Sequence, residues 1–264
     1  MNNLLQVIAL GVIEGVTEFL PISSTGHLLI VEKLGLGQRS ELFNIVIQAG
    51  AILAVTFIFW SRLWELASGL GERDKRDYVI KIGVAFLITA VLGLVVKKLG
   101  FELPETVRPV AWALIVGGVL IVAAEAWAAR QPPNTHVSWV GAIAVGVSQI
   151  LAGVFPGTSR SGATIFAAMF AGTTDRPRAT ELSFLVGIPT MYAASGYALL
   201  KEIKQGTLGQ ENWTDVGIAF LVSTVTAFIV VKWLIRYVQS HDFRWFALYR
   251  VVLGVALLVL LPEG

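Results

Sequence analysis

Two short polar stretches interrupt a chain that is otherwise apolar enough to dissolve in lipid. The first runs from Glu14 to His27 (EGVTEFLPISSTGH) and the second from Ser148 to Thr164 (SQILAGVFPGTSRSGAT). Together they hold carboxylates, a histidine, an arginine and several hydroxyls, and such groups are costly at membrane depth. Because bilayer proteins retain buried polar groups mainly where they act, we place the function of the chain in these two stretches.

The composition is that of a polytopic membrane protein. The 264 residues are 55% hydrophobic and 14% charged, with a mean hydropathy of +0.73. A net charge of +2 does not favour nucleic acid as a partner, and without cysteine the chain forms no disulfides. The N-terminus lacks the basic region of a signal peptide. Segments near the length of about 20 residues that crosses a bilayer are 41–60, 80–96, 110–128, 181–200, 215–233 and 246–262.

The second polar stretch resembles a degenerate copy of the first. An offset of 135 positions aligns Gly11 with Gly146, Glu14 with Gln149, Pro21 with Pro156 and Ser24 with Ser159. The apolar segments 83–98 and 217–232 align at nearly the same offset, and a recurring shift is the mark of an internal repeat. We therefore expect a single membrane domain over 1–264, built from two repeats, 1–130 and 131–264.

Each repeat is predicted to hold one re-entrant helix–turn–helix followed by three transmembrane helices. The hairpin segments are 4–20 and 24–34, joined at Pro21, and 138–155 and 162–172, joined at Pro156 and Gly157. Because three is an odd number, the second repeat enters the membrane upside down, which predicts an all-α fold with an inverted-topology repeat. Proline frees backbone groups that are tolerated only inside protein or in a watery cavity, so both turns should border one cavity.

Loop charges orient these helices. The N-terminal side carries seven lysine and arginine residues, and the opposite side carries eleven when Arg160 inside the second turn is left out. The positive-inside rule then places both termini outside the cytoplasm.

Glu14 and Glu18 are four residues apart and lie on one face of a helix. Two carboxylates at this spacing repel each other, and a shared proton, an arginine or a divalent cation would relieve the repulsion. Paired carboxylates suit Mg²⁺ or Ca²⁺ when a substrate phosphate supplies further ligands. The alternative is one surface and one interfacial glutamate without a metal.

Three hydroxyl residues, Ser23, Ser24 and Thr25, follow the first break, and one of them should cap the next helix. His27 follows Ser24 by three residues and lies on the same helical face, so it could accept a proton from the Ser24 hydroxyl or from water. A purely structural histidine is the alternative.

The second stretch predicts an anion site. Gly157 permits close backbone approach, and Ser159, Ser161 and Thr164 supply hydroxyls at the N-terminus of the following helix. Arg160 can bind a phosphate through two hydrogen bonds. The alternative is that Arg160 forms a structural ion pair with one of the two glutamates.

Other polar residues give weaker signals. Glu125 and Arg250 lie toward helix ends, where we expect them to extend to water. Gln48 is expected to form an interhelical hydrogen bond. His136 and His241 lie in loops, and nothing in their surroundings suggests a function.

With these motifs the chain closely resembles the undecaprenyl-pyrophosphate phosphatase family, integral membrane proteins also called bacitracin-resistance proteins. The first family motif matches at Glu14, Glu18, Pro21, Ser23, Ser24, Gly26 and His27. The second matches at Pro156, Gly157, Ser159, Arg160, Ser161 and Thr164. The resemblance implies hydrolysis of the C55 isoprenoid diphosphate to its monophosphate and inorganic phosphate, with a divalent metal. It also implies a bacterial inner-membrane enzyme whose active site opens to the periplasmic side.

Within that resemblance we assign Ser24 as the nucleophile and His27 as its proton-transfer partner. Glu14 and Glu18 hold the metal, Glu18 being catalytic as well, and Arg160 clamps the diphosphate. Ser23, Thr25, Gly157, Ser159, Ser161 and Thr164 complete the substrate-binding set. Direct attack by water, with His27 or Glu18 as base, stays open.

The expected partners are the prenyl diphosphate lipid and the surrounding membrane lipid, and a homodimer is left open. A transporter or flippase for a lipid phosphate is the competing class, because inverted repeats with broken helices are common in secondary transporters. Translocation of an anion needs no nucleophile, which favours hydrolysis, although hydrolysis followed by flipping of the product is also open.

Overall fold

The computed structural model describes residues 3–36, 39–101, 106–206 and 211–261, and every regular element within these ranges is helical. The helices are α1 (Asn3–Thr17), α2 (Ser24–Val31), α3 (Glu41–Ile58), α4 (Trp60–Ser68), α5 (Arg73–Lys98), α6 (Val107–Ala128), α7 (Trp139–Val154), α8 (Arg160–Ala171), α9 (Arg176–Gln205), α10 (Trp213–Tyr237) and α11 (Arg244–Leu260). A π-helical turn, Glu32–Leu36, extends α2. The prediction of an all-α fold is confirmed.

Five helices in the described ranges are long and apolar enough to cross a membrane: α3, α5, α6, α9 and α10. They confirm five of the six predicted spans. The sixth, predicted over 246–262, corresponds to α11, whose 17 residues extend only about 26 Å at 1.5 Å per residue. Its predicted end at residue 262 lies outside the described residues. The short helix α4, which follows α3 directly, was not predicted.

Two helical hairpins occupy the positions predicted for the re-entrant segments. In the first, α1 and α2 are joined by a turn that we call the first turn, residues 18–23; in the second, α7 and α8 are joined by the second turn, residues 155–159. The long helix of each hairpin packs against a helix of the other half of the chain, α1 against α10 and α7 against α5. A two-fold relation between the halves would produce this exchange, and the inverted repeat with its boundary at residue 130 stays a prediction.

The main apolar core includes the first turn and the helix α8 that follows the second turn. Phe19 of the first turn is 1% exposed, and its ring meets the ring of Phe184 on α9 edge to face, with centroids 5.3 Å apart. Ile165 and Met169 bring α8 into the same buried cluster. Because edge-to-face aromatic packing and tight burial fix side chains in one arrangement, this core holds the first turn against the hairpin of the second half.

Two charged residues that we expected at helix ends are buried in the protein instead. Glu125 is 1% exposed and accepts hydrogen bonds from Arg176 (Nη2 to Oε2, 2.6 Å) and from the amide of Phe243 (2.9 Å). Arg250, also 1% exposed, donates to backbone carbonyls. The expectation that both extend to water was wrong, because their partners lie on other helices and the sequence of one helix does not reveal them.

Candidate active site

Glu14 and Glu18 are buried in an apolar setting, 1% and 6% exposed. Glu14 lies in the last turn of α1, and Glu18 follows the helix end, where its amide still donates to the Glu14 carbonyl at 3.0 Å. This bond continues the helical path by one step, so the two side chains keep the common face that their spacing predicts. The reading of one surface glutamate is therefore wrong.

Ser23 makes the first turn fit the start of α2. Its backbone has φ = 76°, a left-handed conformation that is uncommon outside glycine, and its hydroxyl accepts a hydrogen bond from the amide of Gly26 at 3.2 Å. The prediction that one of the three hydroxyls caps this helix is confirmed. Because Ser23 takes the capping role, the hydroxyl of Ser24 is left available to Glu18.

The second turn repeats this geometry at Ser159. Its φ is 69°, and its hydroxyl accepts from the amide of Gly162 at 3.2 Å; Ser23 and Ser159 are the only described non-glycine residues with positive φ. The counterpart of Ser159 is thus Ser23, and our alignment of Ser159 with Ser24 was shifted by one residue. The second turn has one extra residue between its proline and its capping serine, so Arg160 occupies the place of Ser24.

Glu18 joins the two turns. Its Oε2 accepts a hydrogen bond from the Ser24 hydroxyl at 2.6 Å, and its Oε1 lies 3.2 Å from Nη2 of Arg160. Glu18 and Arg160, which are 142 positions apart in the sequence, are therefore in direct contact. The hydroxyl of Ser161 also donates to the carbonyl of Leu20 at 3.0 Å, which fastens α8 to the first turn. Of the two alternatives for Arg160, the ion pair with a glutamate is present in the structure.

His27 does not contact Ser24 in the way we predicted. Its Nδ1 lies 2.7 Å from the carbonyl of Ser23, and its Nε2 lies 2.6 Å from the hydroxyl of Tyr249. A carbonyl only accepts, so in the neutral ring Nδ1 carries the hydrogen and Nε2 accepts from Tyr249. Both nitrogens are thereby engaged, and the group that receives the hydrogen bond of Ser24 is Glu18.

Most of the second motif is buried in packing. Ser161 and Thr164 are fully buried, and the Thr164 hydroxyl donates to the carbonyl of Arg160 at 2.8 Å. Ser159 is occupied as a cap, and Gly157 lies against Val110, whose carbonyl would be 2.8 Å from an added Cβ. These residues build the turn, and among the substrate-binding candidates of the second motif Arg160 alone brings its side chain to Glu18.

A cavity of about 510 Å³ opens beside Ser24. It lies between α1, α2 and the start of α3, on the side of the N-terminus, where Arg39 donates to Asn3 at 2.8 Å. Arg39 and Asn44 were missed because no motif marks them. The side chain of Gln48 also lines this cavity, and its interhelical hydrogen bond stays a prediction. The polar residues lining the cavity include Glu14, Ser24, Thr25, Arg39, Asn44 and Gln48.

Glu14 lines the cavity, whereas Arg160 lies behind it on Glu18, and the unpartnered atoms of the two fit a cation beside an anion. Both carboxylate oxygens of Glu14 are buried without a hydrogen-bond partner, and so is Nη1 of Arg160. Buried charged groups left without partners are costly, so the first calls for a cation or a proton and the second for an anion. No group of three or more histidine, aspartate and glutamate residues comes together in the part of the chain described.

Comparison with known proteins covers both polar stretches. Residues 7–256 match the family model described as bacitracin resistance protein BacA. A protein of Rhizobium etli named undecaprenyl-diphosphatase is 64% identical over 255 residues, which cover 97% of this chain and 96% of the relative. A protein of the same name from Xanthomonas euvesicatoria pv. vesicatoria is 60% identical over 264 residues, 100% of this chain and 99% of the relative. A third, from Xanthomonas campestris pv. campestris, is 59% identical over the full length of both chains.

Proposed function

The chain belongs to the bacitracin resistance protein BacA family, and on that basis we propose that it is a membrane-embedded undecaprenyl-diphosphatase. It hydrolyses undecaprenyl diphosphate to undecaprenyl phosphate and inorganic phosphate, and so returns the lipid carrier to cell-wall synthesis. The observation that carries this proposal is that Ser24 and Arg160 both contact the same buried carboxylate, that of Glu18. A hydroxyl, its base and a phosphate-binding cation are thereby assembled at one point.

The proposed chemistry begins at the Ser24 hydroxyl. Glu18 takes the proton of this hydroxyl while the Ser24 oxygen bonds to the terminal phosphorus of the diphosphate. The bond from that phosphorus to the bridging oxygen breaks at the same time. Undecaprenyl phosphate leaves, and water then releases inorganic phosphate from Ser24. In the alternative route Glu18 activates a water that attacks the phosphorus directly. Trapping a phosphorylated Ser24 in a rapid quench would separate the two routes.

Arg160 binds the charge that builds up on the transferred phosphoryl group. Phosphoryl transfer depends mainly on positioning and charge neutralisation. Among the described residues, Nη1 of Arg160 is a buried donor without a partner, and Nη2 is paired with Glu18. A phosphate that accepts from both nitrogens would satisfy the first and would free Glu18 to act as the base.

We further propose that Glu14 and Glu18 hold a divalent cation, Mg²⁺ or Ca²⁺. The two partnerless oxygens of Glu14 fit this role, because carboxylate oxygens are the ligands these ions prefer. Substrate phosphate and water would complete the coordination. The cation would supply neutralisation of the diphosphate charge.

The setting that we propose is the bacterial inner membrane, with the cavity open to the periplasmic side. The cavity opens on the side of the N-terminus, and the lower number of basic loop residues on that side supports an orientation toward the outside of the cytoplasm. The substrate would reach the cavity from the outer leaflet of that membrane.

Phosphate release tests the proposed function. Purified protein in detergent is given C55 prenyl diphosphate with Mg²⁺, or with a chelator in excess, and inorganic phosphate is measured. We expect release that depends on the cation. Binding of the lipid without phosphate release would contradict hydrolysis and favour the transporter, whereas full turnover after exhaustive chelation would remove only the metal assignment.

A further inference from the structure

Arg250 lies at the junction of both turns, and neither motif of the family resemblance includes it. It is on α11, 1% exposed, and donates four hydrogen bonds, each to a backbone carbonyl. The acceptors are Leu114 (from Nε, 3.3 Å), Pro21 (from Nη1, 3.1 Å), Ala113 (from Nη2, 3.0 Å) and Gly157 (from Nη2, 3.2 Å). One guanidinium thus connects the first turn, the second turn, α6 and α11.

The chain makes room for this side chain. A Cβ at Gly117 of α6 would lie 2.1 Å from Nη2 of Arg250, so only glycine lets the guanidinium pass this helix. No carboxylate pairs with Arg250 in the part of the chain described. A buried cation without an anion is costly in a membrane protein, and such an arrangement is retained where the hydrogen bonds it makes are needed.

The acceptors explain that need. The breaks of the two hairpins leave the carbonyls of Pro21 and Gly157 outside the ladders of their helices, and the surrounding lipid offers no donor for them. Arg250 satisfies both carbonyls at once and fixes the distance between them. Arg160 is three residues beyond Gly157, and Ser24 is three residues beyond Pro21.

We propose that Arg250 is a positioning residue that holds the two turns in the register in which Ser24 and Arg160 meet on Glu18. It touches neither the cavity nor a reacting atom, and it acts through the two turn carbonyls. The inference deepens the proposed function and rests on it for its effect on turnover. Its geometric part, the distance between the turns, can be measured without substrate.

Arg250→Met and Arg250→Lys test the proposal, and Arg176→Met is the matched control. Arg176→Met removes an arginine that also joins α6 to its neighbours, through the buried Glu125, but that does not touch either turn. Methionine keeps much of the length and loses all donors, whereas lysine keeps the charge and up to three donors.

The rate at which a disulfide forms between the first turn and the start of α8, directly after the second turn, reports the distance between the two turns. The chain has no cysteine, and a Cβ at Gly162 would lie 3.4 Å from the Cβ of Pro21, close to the spacing a disulfide requires. With Pro21→Cys and Gly162→Cys in place, we measure disulfide formation in membranes under mild oxidation. We expect Arg250→Met to slow it clearly, Arg250→Lys to slow it less, and Arg176→Met to leave it unchanged.

In cysteine-free protein we expect Arg250→Met to lower kcat by about 100-fold with little change in KM, since a misplacement of about 1 Å can have that effect. Arg250→Lys should recover part of the loss, and Arg176→Met should lower thermal stability while leaving kcat within a few-fold. Disulfide rates and kcat for Arg250→Met close to those with arginine would overturn the proposal. If Arg250→Met does not accumulate, Arg250→Lys decides by the same two readouts. A wild-type protein without phosphate release would refute the proposed function alone, because the disulfide rates would still decide on Arg250.

Discussion

The two turns have the same backbone conformation at their capping serine, but they differ in the side chains that they bring to the site. Ser23 and Ser159 adopt the same left-handed conformation and cap the next helix through the same contact to a glycine amide. The first hairpin supplies the carboxylate of Glu18 and the hydroxyl of Ser24, whereas the second supplies the guanidinium of Arg160.

At the aligned positions the second hairpin lacks the acidic side chains of the first. Gln149 stands where the first hairpin has Glu14, and its amide donates to Thr89 at 2.8 Å and to Thr190 at 3.4 Å, contacts that hold α7 against α5 and α9. After the turn, Arg160 takes the place of Ser24. The backbone at the capping serine is thus common to both hairpins. In the proposed mechanism the first hairpin supplies the base and the nucleophile, and the second binds the anion.

The comparison would break first at Glu18, where we expect the largest effect. Glu18→Gln keeps the shape and removes the charge that accepts from Ser24 and Arg160. We expect kcat to fall by about three orders of magnitude, within the range of roughly 10²–10⁴ that a positioned general base contributes. Steady-state phosphate release measures this. The control Gln149→Leu should lower stability and leave kcat within a few-fold, and an equal loss in both variants would mean that the two hairpins do not divide the work.

Arg160 is the second point at which the comparison can be sharpened. We expect Arg160→Lys to be nearly as damaging as Arg160→Ala, because a point charge does not reproduce a two-nitrogen contact to phosphate. Each should cost about 2–4 kcal/mol in transition-state stabilisation, as for removal of one preorganised oxyanion donor. The ratio of kcat/KM values gives this energy. A lysine variant within a few-fold of wild type would show that Arg160 supplies charge alone.

Glu14 should give a smaller and different effect. We expect Glu14→Gln to raise the Mg²⁺ concentration for half-maximal activity by about 10-fold or more, by analogy with the loss of groups that support a metal site. At saturating Mg²⁺ we expect kcat to fall less than in Glu18→Gln. Calorimetric titration of Mg²⁺ checks the affinity independently of turnover. Glu41→Gln, at the cavity rim beside Lys201, serves as the control. An unchanged Mg²⁺ dependence in Glu14→Gln would argue against a metal at this carboxylate.

The smallest effect is expected for the cap of the second turn. Ser159→Ala should lower the free energy of unfolding by about 1 kcal/mol, the usual cost of losing an N-cap, and leave kcat within a few-fold. Ser23→Ala loses an equivalent cap directly beside Ser24 and should lower kcat as well. Thermal unfolding in detergent and phosphate release measure the two effects. Equal kcat values in both variants would remove the distinction between scaffold and chemistry.

Hydropathy and proline predicted most of the fold. Five spans and both hairpins follow from apolar run length and from Pro21 and Pro156, and a cap after each break follows from the hydroxyl residues there. The one-residue insertion in the second turn was hidden, because Ser23 and Ser24 are identical in type and only backbone dihedrals tell which of them is the cap.

The contacts of three polar side chains could not be predicted from the sequence. Arg250 donates to four backbone carbonyls. Every residue has a backbone carbonyl, so the sequence cannot show which ones accept these bonds. Glu125 finds Arg176 across 51 positions, on a different helix. His27 was expected beside Ser24, but the turn directs its ring to Tyr249, a residue without any motif. Residue types thus predicted that Glu18, Ser24 and Arg160 lie close together, but they did not predict the contacts of His27, Glu125 and Arg250.

The claim that both turns form one site is tested most directly by a double-mutant cycle between Ser24 and Arg160. We measure kcat/KM for wild type, Ser24→Ala, Arg160→Ala and the double variant. In the proposed mechanism Ser24 attacks the same terminal phosphate that Arg160 binds, and groups that act as a unit should give non-additive losses. We predict a double variant within a few-fold of the poorer single variant. A double loss equal to the product of the two single losses would contradict the account.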